Sequence, residues 1–173
     1  MSIAVAFWIC LTLYKRKEDE EINPELVHQY YETHKTSLYR FALSLLRSPQ
    51  QAEDVVQDTF VKLLNGKFSR PTPGKEKAWL FRVARNLCMD ILRQRSREAE
   101  LPPELTAPAA ESWEFLELIS PLSKSEQELV SLRFIGGFSH GEIARITGTT
   151  VHAAKKRYER AIQKLRTEME VTL

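Results

Sequence analysis

The side chains best suited to a binding chemistry form two basic blocks separated by an acidic block. Residues 65–99 contain nine basic and three acidic residues, and residues 143–173 contain seven basic and three acidic residues. The intervening residues 100–142 contain eight acidic and two basic residues, although the whole chain has a formal net charge of only +2. Basic clusters neutralise phosphates, so the pattern predicts two nucleic-acid contacts, with solvated helix faces as the alternative.

The second basic block has the pattern of a helix-turn-helix. Ser139 and Glu142 have capping-box spacing, Gly148 predicts a helix end, and Thr150 is a favourable N-cap for a basic second helix. Such a second helix enters the DNA major groove, where lysine and arginine contact phosphates and guanine edges. Its candidate DNA-binding residues are Thr150, His152, Ala153, Lys155, Lys156, Arg157 and Arg160.

The first basic block lies on a predicted helix over residues 76–97. A face with tryptophan, asparagine and arginines lies opposite its apolar stripe when residues are placed at 100° intervals. An exposed tryptophan can stack on an unpaired base while arginines hold the backbone, so this face predicts single-strand binding. Packing of Trp79 between helices is the alternative. With two residues of the preceding loop, the candidates are Phe68, Arg70, Trp79, Arg82, Asn86 and Arg93.

A third candidate surface is an acidic stripe on a predicted helix that begins at Pro49. Apolar residues recur at i, i+3 and i+4 along its core face, and Phe60 belongs to that face. The opposite face carries a stripe that can dock a partner protein, although acidic helix faces are more often simply solvated. The stripe consists of Asp54, Gln57, Asp58 and Val61.

Helical periodicity and helix-start signals predict an all-α fold with two small domains. Ser48 with Gln51, and Ser123 with Glu126, have the spacing of two further capping boxes. Prolines and acidic residues over residues 99–112 indicate a linker between the domains. The predicted division is an extension over residues 1–21, a first domain over 22–98, a linker over 99–112 and a second domain over 113–173.

Residues 2–14 are almost continuously apolar and precede three consecutive basic residues. Thirteen helical residues span roughly 20 Å, which is short of the roughly 30 Å hydrocarbon core of a bilayer. A signal peptide carries its positive charge before the apolar run, not after it. We expect a dispensable extension, such as one translated from a misassigned start, with a weak membrane-associating or partner-binding segment as the alternative.

Catalytic chemistry is not indicated. The sequence contains no phosphate-binding glycine loop and no nucleophile–base motif. Its two cysteines, Cys10 and Cys88, have no pairing or zinc-ligand spacing and fit a reduced cytoplasmic setting. We therefore expect no enzyme activity, no cofactor and no metal.

Two segments resemble a known family. Residues 48–64, SPQQAEDVVQDTFVKLL, and residues 78–97, AWLFRVARNLCMDILRQRSR, resemble region 2 of bacterial sigma factors, and residues 122–165 resemble region 4. With no region 1 or region 3 domain, the chain is similar to the extracytoplasmic-function (ECF) sigma factors of RNA polymerase. The resemblance implies a region 2 helical bundle and a region 4 helix-turn-helix joined by a proline-rich acidic linker.

The resemblance also implies partners and roles. The chain would bind core RNA polymerase through the β′ and β subunits. Asp54, Gln57, Asp58 and Phe60 match positions where such factors bind the β′ coiled coil or shape that surface, although helical periodicity places Phe60 in the core. Trp79, Arg82 and Asn86 would lie in the segment that melts the promoter and recognises the −10 element. The loop over residues 66–77 would capture a flipped base, with Phe68 as the expected contact, and residues 150–160 would read the −35 element of promoter DNA. The chain is expected to be cytoplasmic and to be regulated by an anti-sigma factor. Such a partner can hold a sigma factor at the membrane.

Some residues depart from the family pattern. Pro71 and Pro73 lie in a loop that is often acidic or glycine-rich, and His152 is followed by two alanines where Gly-Thr-Val is usual. The −35 sequence is therefore not carried over. Two other functions fit part of the pattern: a stand-alone helix-turn-helix regulator that binds duplex DNA, and an adaptor or anti-factor whose basic faces meet an acidic protein.

Overall fold

The structure is a computed structural model that describes residues 23–65, 72, 74–98 and 110–171. Over these residues the chain is helical and contains no strand, which confirms the predicted all-α fold. The helices are α1 (Pro24–Leu46), α2 (Pro49–Leu64), α3 (Glu76–Glu98), α4 (Ala110–Leu118), α5 (Lys124–Phe134), α6 (His140–Thr147) and α7 (Val151–Val171). The predicted bounds of α3 are within one residue of the observed ones, whereas α4 begins inside the segment predicted as linker.

Helices α1, α2 and α3 pack against one another as a three-helix bundle. The spacing of apolar residues along α2 buries Phe60 completely, as predicted, and the ring of Tyr31 meets it edge-on at 5.1 Å between centroids. Phe41 of α1 packs against Phe81 of α3 at 5.3 Å. These aromatic contacts fix the direction in which the outer face of α3 points.

The junction between α1 and α2 differs in detail from the prediction. Ser48 caps α2 by accepting a hydrogen bond from the Gln51 backbone N–H at 3.4 Å. The predicted capping box is wrong in its second half, because the Gln51 side chain accepts a hydrogen bond from Arg95 instead of returning to Ser48. Arg95 also donates to the Leu46 carbonyl at 2.9 Å, so one guanidinium of α3 holds the end of α1 and the start of α2.

Helices α6 and α7 form the predicted helix-turn-helix. The Ser139 backbone N–H donates to the Glu142 carboxylate at 2.8 Å, which completes the predicted capping box. Gly148 ends α6 with φ of 70°, a left-handed conformation that glycine adopts without strain. The Thr150 hydroxyl then accepts a hydrogen bond from the Ala153 backbone N–H at 3.1 Å and caps α7. The short turn fixes the angle at which α7 leaves α6.

Helix α5 packs against α7 and is linked to it by an ion pair. The Ser123 backbone N–H donates to Glu126 at 2.9 Å, as its predicted capping box requires, and Lys164 of α7 donates to the same carboxylate at 2.8 Å. A small apolar cluster fills the space between these helices and the end of α4. Its members are Ile119, Leu122, Val130, Ala161 and Leu165.

The three-helix bundle and the helix-turn-helix share a hydrophobic core. Helix α5 contacts α1, and α6 contacts α3. At the centre of this interface Phe138, in the turn before α6, meets Phe81 edge-on at 5.0 Å. Phe81 is fully buried, and the ring of Phe138 packs against it. It lies outside the apolar stripe that periodicity predicts for α3, which consists of Leu80, Val83, Ala84, Leu87, Cys88 and Ile91. The sequence predicts two small domains with separate cores, whereas in the structure one hydrophobic core includes residues of both.

Candidate functional site

The outer face of α3 exposes three of its predicted nucleic-acid residues. Arg82, Asn86 and Arg93 are exposed on the side away from the bundle core. Arg93 donates to Asp90 at 2.8 Å, but both side chains remain more than two-thirds exposed, so water screens this ion pair. We call Arg82, Asn86 and Arg93 the α3 face. Its side chains can reach a nucleic-acid strand without repacking the core.

The predicted exposure of Trp79 is wrong. Its side chain is only 6% exposed and belongs to the hydrophobic core. On α3 it lies about 40° from the buried Val83, at the edge of the core stripe, and so large a ring covers the neighbouring apolar side chains. In this arrangement Trp79 anchors the start of α3 and offers no open face to a base.

Phe68 and Arg70 lie outside the described residues. The loop that carries them is described only at Thr72, Gly74 and Lys75, immediately before α3. The Gly74 backbone N–H donates to the Glu76 carboxylate at 2.8 Å, which ties the end of the loop to the first turn of α3. Capture of a base by Phe68 stays a prediction.

Two other arginines of α3 have structural partners that the sequence did not indicate. Arg85 pairs with Glu128 of α5, whose side chain is only 7% exposed. Arg95 bridges α1 and α2. No local spacing signals either contact, because the partners are 43 and 44 residues away along the chain.

The first turns of α7 present the predicted recognition surface. His152, Lys155, Lys156 and Arg160 are exposed, whereas Ala153 and Arg157 are half-buried. Ala154 is fully buried in the main hydrophobic cluster, which constrains the rotation of the helix. The weak contact of Lys155 with Glu159, at 3.8 Å and with both side chains about 60% exposed, leaves the lysine accessible to a phosphate.

The acidic stripe lies on the face of α2 opposite the core. Asp54 and Asp58 are exposed, and Gln57 and Val61 are half-buried. Gln57 also borders a groove of about 250 Å³ between α1 and α2, which is lined mainly by apolar surface. The other lining residues are Tyr31, Lys35, Thr36, Tyr39, Glu53 and Val56. The sequence did not indicate the groove, because its walls come from two helices.

Two ionisable groups inside the fold, Glu126 and Cys88, have pKa values far from their ordinary ones. The hydrogen bonds that Lys164 and Ser123 donate to Glu126 lower the pKa of that carboxyl to about 2. Burial raises the pKa of the Cys88 thiol to about 12, so this cysteine is a poor nucleophile.

Among the described residues there is no group of three metal-ligating side chains. None of the described helices is long and apolar enough to cross a membrane.

Two family descriptions match the chain. Residues 30–98 match Sigma-70 region 2, and residues 112–165 match Sigma-70, region 4. The first match covers α3 and the acidic stripe, and the second covers the helix-turn-helix.

Curated relatives span most of the chain. It is 34% identical over 140 residues to the ECF RNA polymerase sigma factor EcfG of Rhodopseudomonas palustris, covering 75% of this chain and 77% of the relative. It is 28% identical to the ECF RNA polymerase sigma factor SigL of Mycobacterium tuberculosis over 84% of this chain and 89% of the relative.

Solved structures agree in fold. The sigma factor RpoE of Bartonella quintana, in complex with the anti-sigma factor NepR, matches 83% of this chain and 96% of its own with a TM-score of 0.69 and 28% identity. CnrH, in complex with the cytosolic domain of CnrY, matches 86% of this chain and 90% of its own with a TM-score of 0.67 and 28% identity.

Proposed function

Because this chain belongs to the ECF sigma factors of RNA polymerase, we propose that its two helical regions divide promoter recognition between them. The observation that carries this proposal is the occurrence, in one chain, of an exposed basic face on α3 and an exposed recognition helix α7. The first is suited to an opened strand and the second to duplex DNA. We call α1–α3 region 2 and α4–α7 region 4.

Region 4 docks on the −35 element. Helix α7 enters the major groove with Thr150, His152 and Ala153 at its leading end. Lys155, Lys156, Arg157 and Arg160 supply positive charge for phosphates and base edges. The capped turn before α7 and the buried Ala154 support this role, because they hold the leading end in one orientation.

Region 2 binds the opened −10 strand. The α3 face supplies Arg82, Asn86 and Arg93, and the preceding loop supplies Phe68 and Arg70. Unstacking a base costs a few kcal/mol. Stacking on an aromatic ring returns about 1–3 kcal/mol per base. Phe68 therefore offsets part of the cost of melting, and polymerase contributes the remainder.

The acidic stripe on α2 binds core polymerase. Asp54 and Asp58 supply negative charge to a basic segment of the β′ subunit, while Gln57 and Val61 supply the less polar part of the contact. The exposure of both carboxylates supports this assignment.

The chain contributes recognition and positioning, and polymerase contributes the chemistry of transcription. We therefore assign the chain no catalytic step and place it with polymerase in the cytoplasm.

An anti-sigma factor is the expected regulator. One of the solved structures that resemble this chain, the sigma factor RpoE, is bound by the anti-sigma factor NepR, and another, CnrH, is bound by the cytosolic domain of CnrY. We propose that this chain also has an anti-sigma partner, one that competes with polymerase or DNA for the surfaces described above.

Transcription in vitro with core polymerase tests the proposal. The chain is expected to direct initiation from discrete start sites on its own genomic DNA, and to bind promoter duplex poorly without polymerase. No initiation with an active core enzyme would contradict the proposal. Tight, sequence-specific binding by the chain alone would support a stand-alone helix-turn-helix regulator.

A charge reversal tests the polymerase surface. Asp58→Lys is expected to weaken core binding at least tenfold, because it places a cation where an anion meets a basic segment. Glu32→Lys, at an exposed site on α1, is the matched control and is expected to leave affinity within about twofold. Equal affinity of the two variants would refute the role of the stripe.

A further inference from the structure

The groove between α1 and α2 exposes apolar surface next to the acidic stripe. It has a volume of about 250 Å³, and its lining residues include Tyr31, Tyr39 and Val56. Sites for small-molecule ligands usually measure about 300–1,000 Å³, so this groove is better suited to one or two apolar side chains of a polypeptide. Gln57 lines the groove and also belongs to the stripe, so an occupant of the groove borders the proposed polymerase surface.

The surroundings of the groove are acidic on the α2 side. Glu53 lines the groove and is exposed, and Asp54 and Asp58 are exposed next to it along the same helix. Lys35, on the α1 side, is paired with Glu32 at 2.7 Å, so its charge is largely neutralised. The groove is therefore complementary to a segment that combines apolar side chains with positive charge.

The first residues of the chain have this combination. Residues 2–14 are almost continuously apolar and include Phe7 and Trp8, and residues 15–17 are Lys-Arg-Lys. Apolar surface of this extent usually marks a site that meets a partner, and the run is too short to span a bilayer. We call residues 2–17, which lie outside the described residues, the N-terminal segment.

The chain is long enough to bring the N-terminal segment to the groove. Helix α1 begins at Pro24, and the groove lies next to residues 31–39, roughly 10–23 Å further along the helix. The chain from Tyr14 to Asn23 reaches up to roughly 30 Å when extended. The acidic residues 18–21 lie within this connection, so they need not enter the groove.

A short connection favours docking within one chain. It keeps a tethered segment at an effective concentration of about 1 mM at the site that it can reach. A segment with a dissociation constant of only about 0.1 mM would then be docked in about 90% of the molecules. Weak contacts are therefore sufficient for the N-terminal segment to occupy the groove.

We propose that the N-terminal segment docks in the groove of its own chain and covers the acidic stripe, where it competes with core polymerase. Apolar side chains of residues 2–14 occupy the groove, and residues 15–17 pair with Glu53, Asp54 and Asp58. The extension is then a partner-binding segment whose partner is region 2 of the same chain. Docking is a property of the chain alone, whereas the competition rests on the proposed function of the stripe.

Disulfide trapping tests docking without polymerase or DNA. Cys10 lies in the N-terminal segment, and Thr36→Cys adds a thiol at an exposed position of the groove. In a glutathione redox buffer, the two thiols are expected to form an intramolecular disulfide. Cys88 is buried and its thiol has a pKa of about 12, so it does not compete.

Ser125→Cys is the matched control for trapping. Ser125 is exposed near the start of α5, which packs against α1, and the chain from Cys10 to Asn23 reaches up to roughly 45 Å when extended. The control thiol is therefore within range of Cys10 but outside the groove. The effective concentration of the Thr36→Cys pair is expected to exceed that of the Ser125→Cys pair at least tenfold.

A charge within the apolar run tests both docking and competition. Trp8→Asp, in the full chain, is expected to lower trapping by Thr36→Cys at least fivefold, because an unpaired carboxylate is unfavourable in an apolar groove. With native cysteines, Trp8→Asp is expected to bind core polymerase at least fivefold more tightly than the parent. Ser2→Asp, at the end of the run, is the control and is expected to stay within about twofold of the parent in both measurements.

Each result supports or overturns a defined part of the proposal. Equal trapping of the Thr36→Cys and Ser125→Cys chains would overturn docking, and so would disulfide-linked dimers in place of an intramolecular disulfide. Selective trapping at Thr36→Cys, with the same polymerase affinity for Trp8→Asp and the parent, would overturn the competition. Failure of the parent and Trp8→Asp to bind polymerase at all would count against the proposed function, and the trapping result would still decide whether the segment docks.

Discussion

The two basic helices use their positive charge differently. Helix α3 commits Arg85 to region 4 and Arg95 to the junction of α1 and α2, so part of its charge holds the fold together. Helix α7 commits Lys164 to Glu126 but exposes Lys155 and Lys156 near its leading end. Positive charge on a helix is therefore available to bind DNA only where tertiary contacts do not already use it.

The largest effect separates a buried aromatic residue at the contact between the regions from an exposed aromatic residue of region 4. Phe81→Ala is expected to lower the free energy of unfolding by about 3–5 kcal/mol, because a fully buried ring leaves a cavity. Phe134→Ala is the control, since Phe134 is 71% exposed and stacks on Phe115, and a loss below about 1.5 kcal/mol is expected. Urea unfolding measures both. Equal losses would mean that Phe81 is not part of a shared core.

The next largest effect on stability distinguishes an arginine of α3 that is bonded within the fold from one that is exposed. Arg95→Ala is expected to lower the free energy of unfolding by about 1–3 kcal/mol, because the Leu46 carbonyl and Gln51 lose a charged donor. Arg82→Ala is expected to change stability by less than about 0.5 kcal/mol, because its side chain is exposed. Chemical denaturation gives both values. The division would be wrong if Arg82→Ala proved the more destabilising.

This division also shows what the sequence could predict. Helical periodicity placed Arg82, Asn86 and Arg93 on one exposed face, because every residue of a helix has a fixed angular position. It failed for Trp79, whose large ring at the edge of the core stripe is buried. It could not identify the partners of Arg85 and Arg95, because those contacts depend on how distant helices pack. The roles of Phe68 and Arg70 stay predictions.

A smaller effect concerns the charge that α7 presents. Lys155→Ala in the polymerase complex is expected to weaken promoter binding several-fold and to lower the salt slope by about one unit, as expected for one lost phosphate contact. Lys164→Ala is the control on the same helix and is expected to leave the slope unchanged, because its ammonium group binds Glu126. The measurement is promoter affinity across a salt series. Equal slopes for Lys155→Ala and the parent would show that Lys155 does not contact a phosphate.

A further effect, which depends on pH, concerns the carboxylate that supports α7. The pKa of Glu126 is about 2 in the folded chain, below the ordinary value of 4.5. Its contribution to stability is therefore present above about pH 4.5 and is lost as the pH falls toward 2. Glu126→Gln is expected to be less stable than the parent at pH 7, with the difference shrinking in acid. A constant difference between pH 7 and pH 2.5 in thermal unfolding would contradict this assignment.

Affinity of the polymerase complex for two DNA probes tests the division of promoter recognition most directly. One probe is duplex with the −35 element alone, and the other is a forked −10 element with its strand already open. Lys155→Ala is expected to weaken binding to the duplex probe several-fold and leave the forked probe unchanged, whereas Arg82→Ala is expected to do the reverse. Equal weakening of both probes by either variant, or the opposite assignment, would contradict the account.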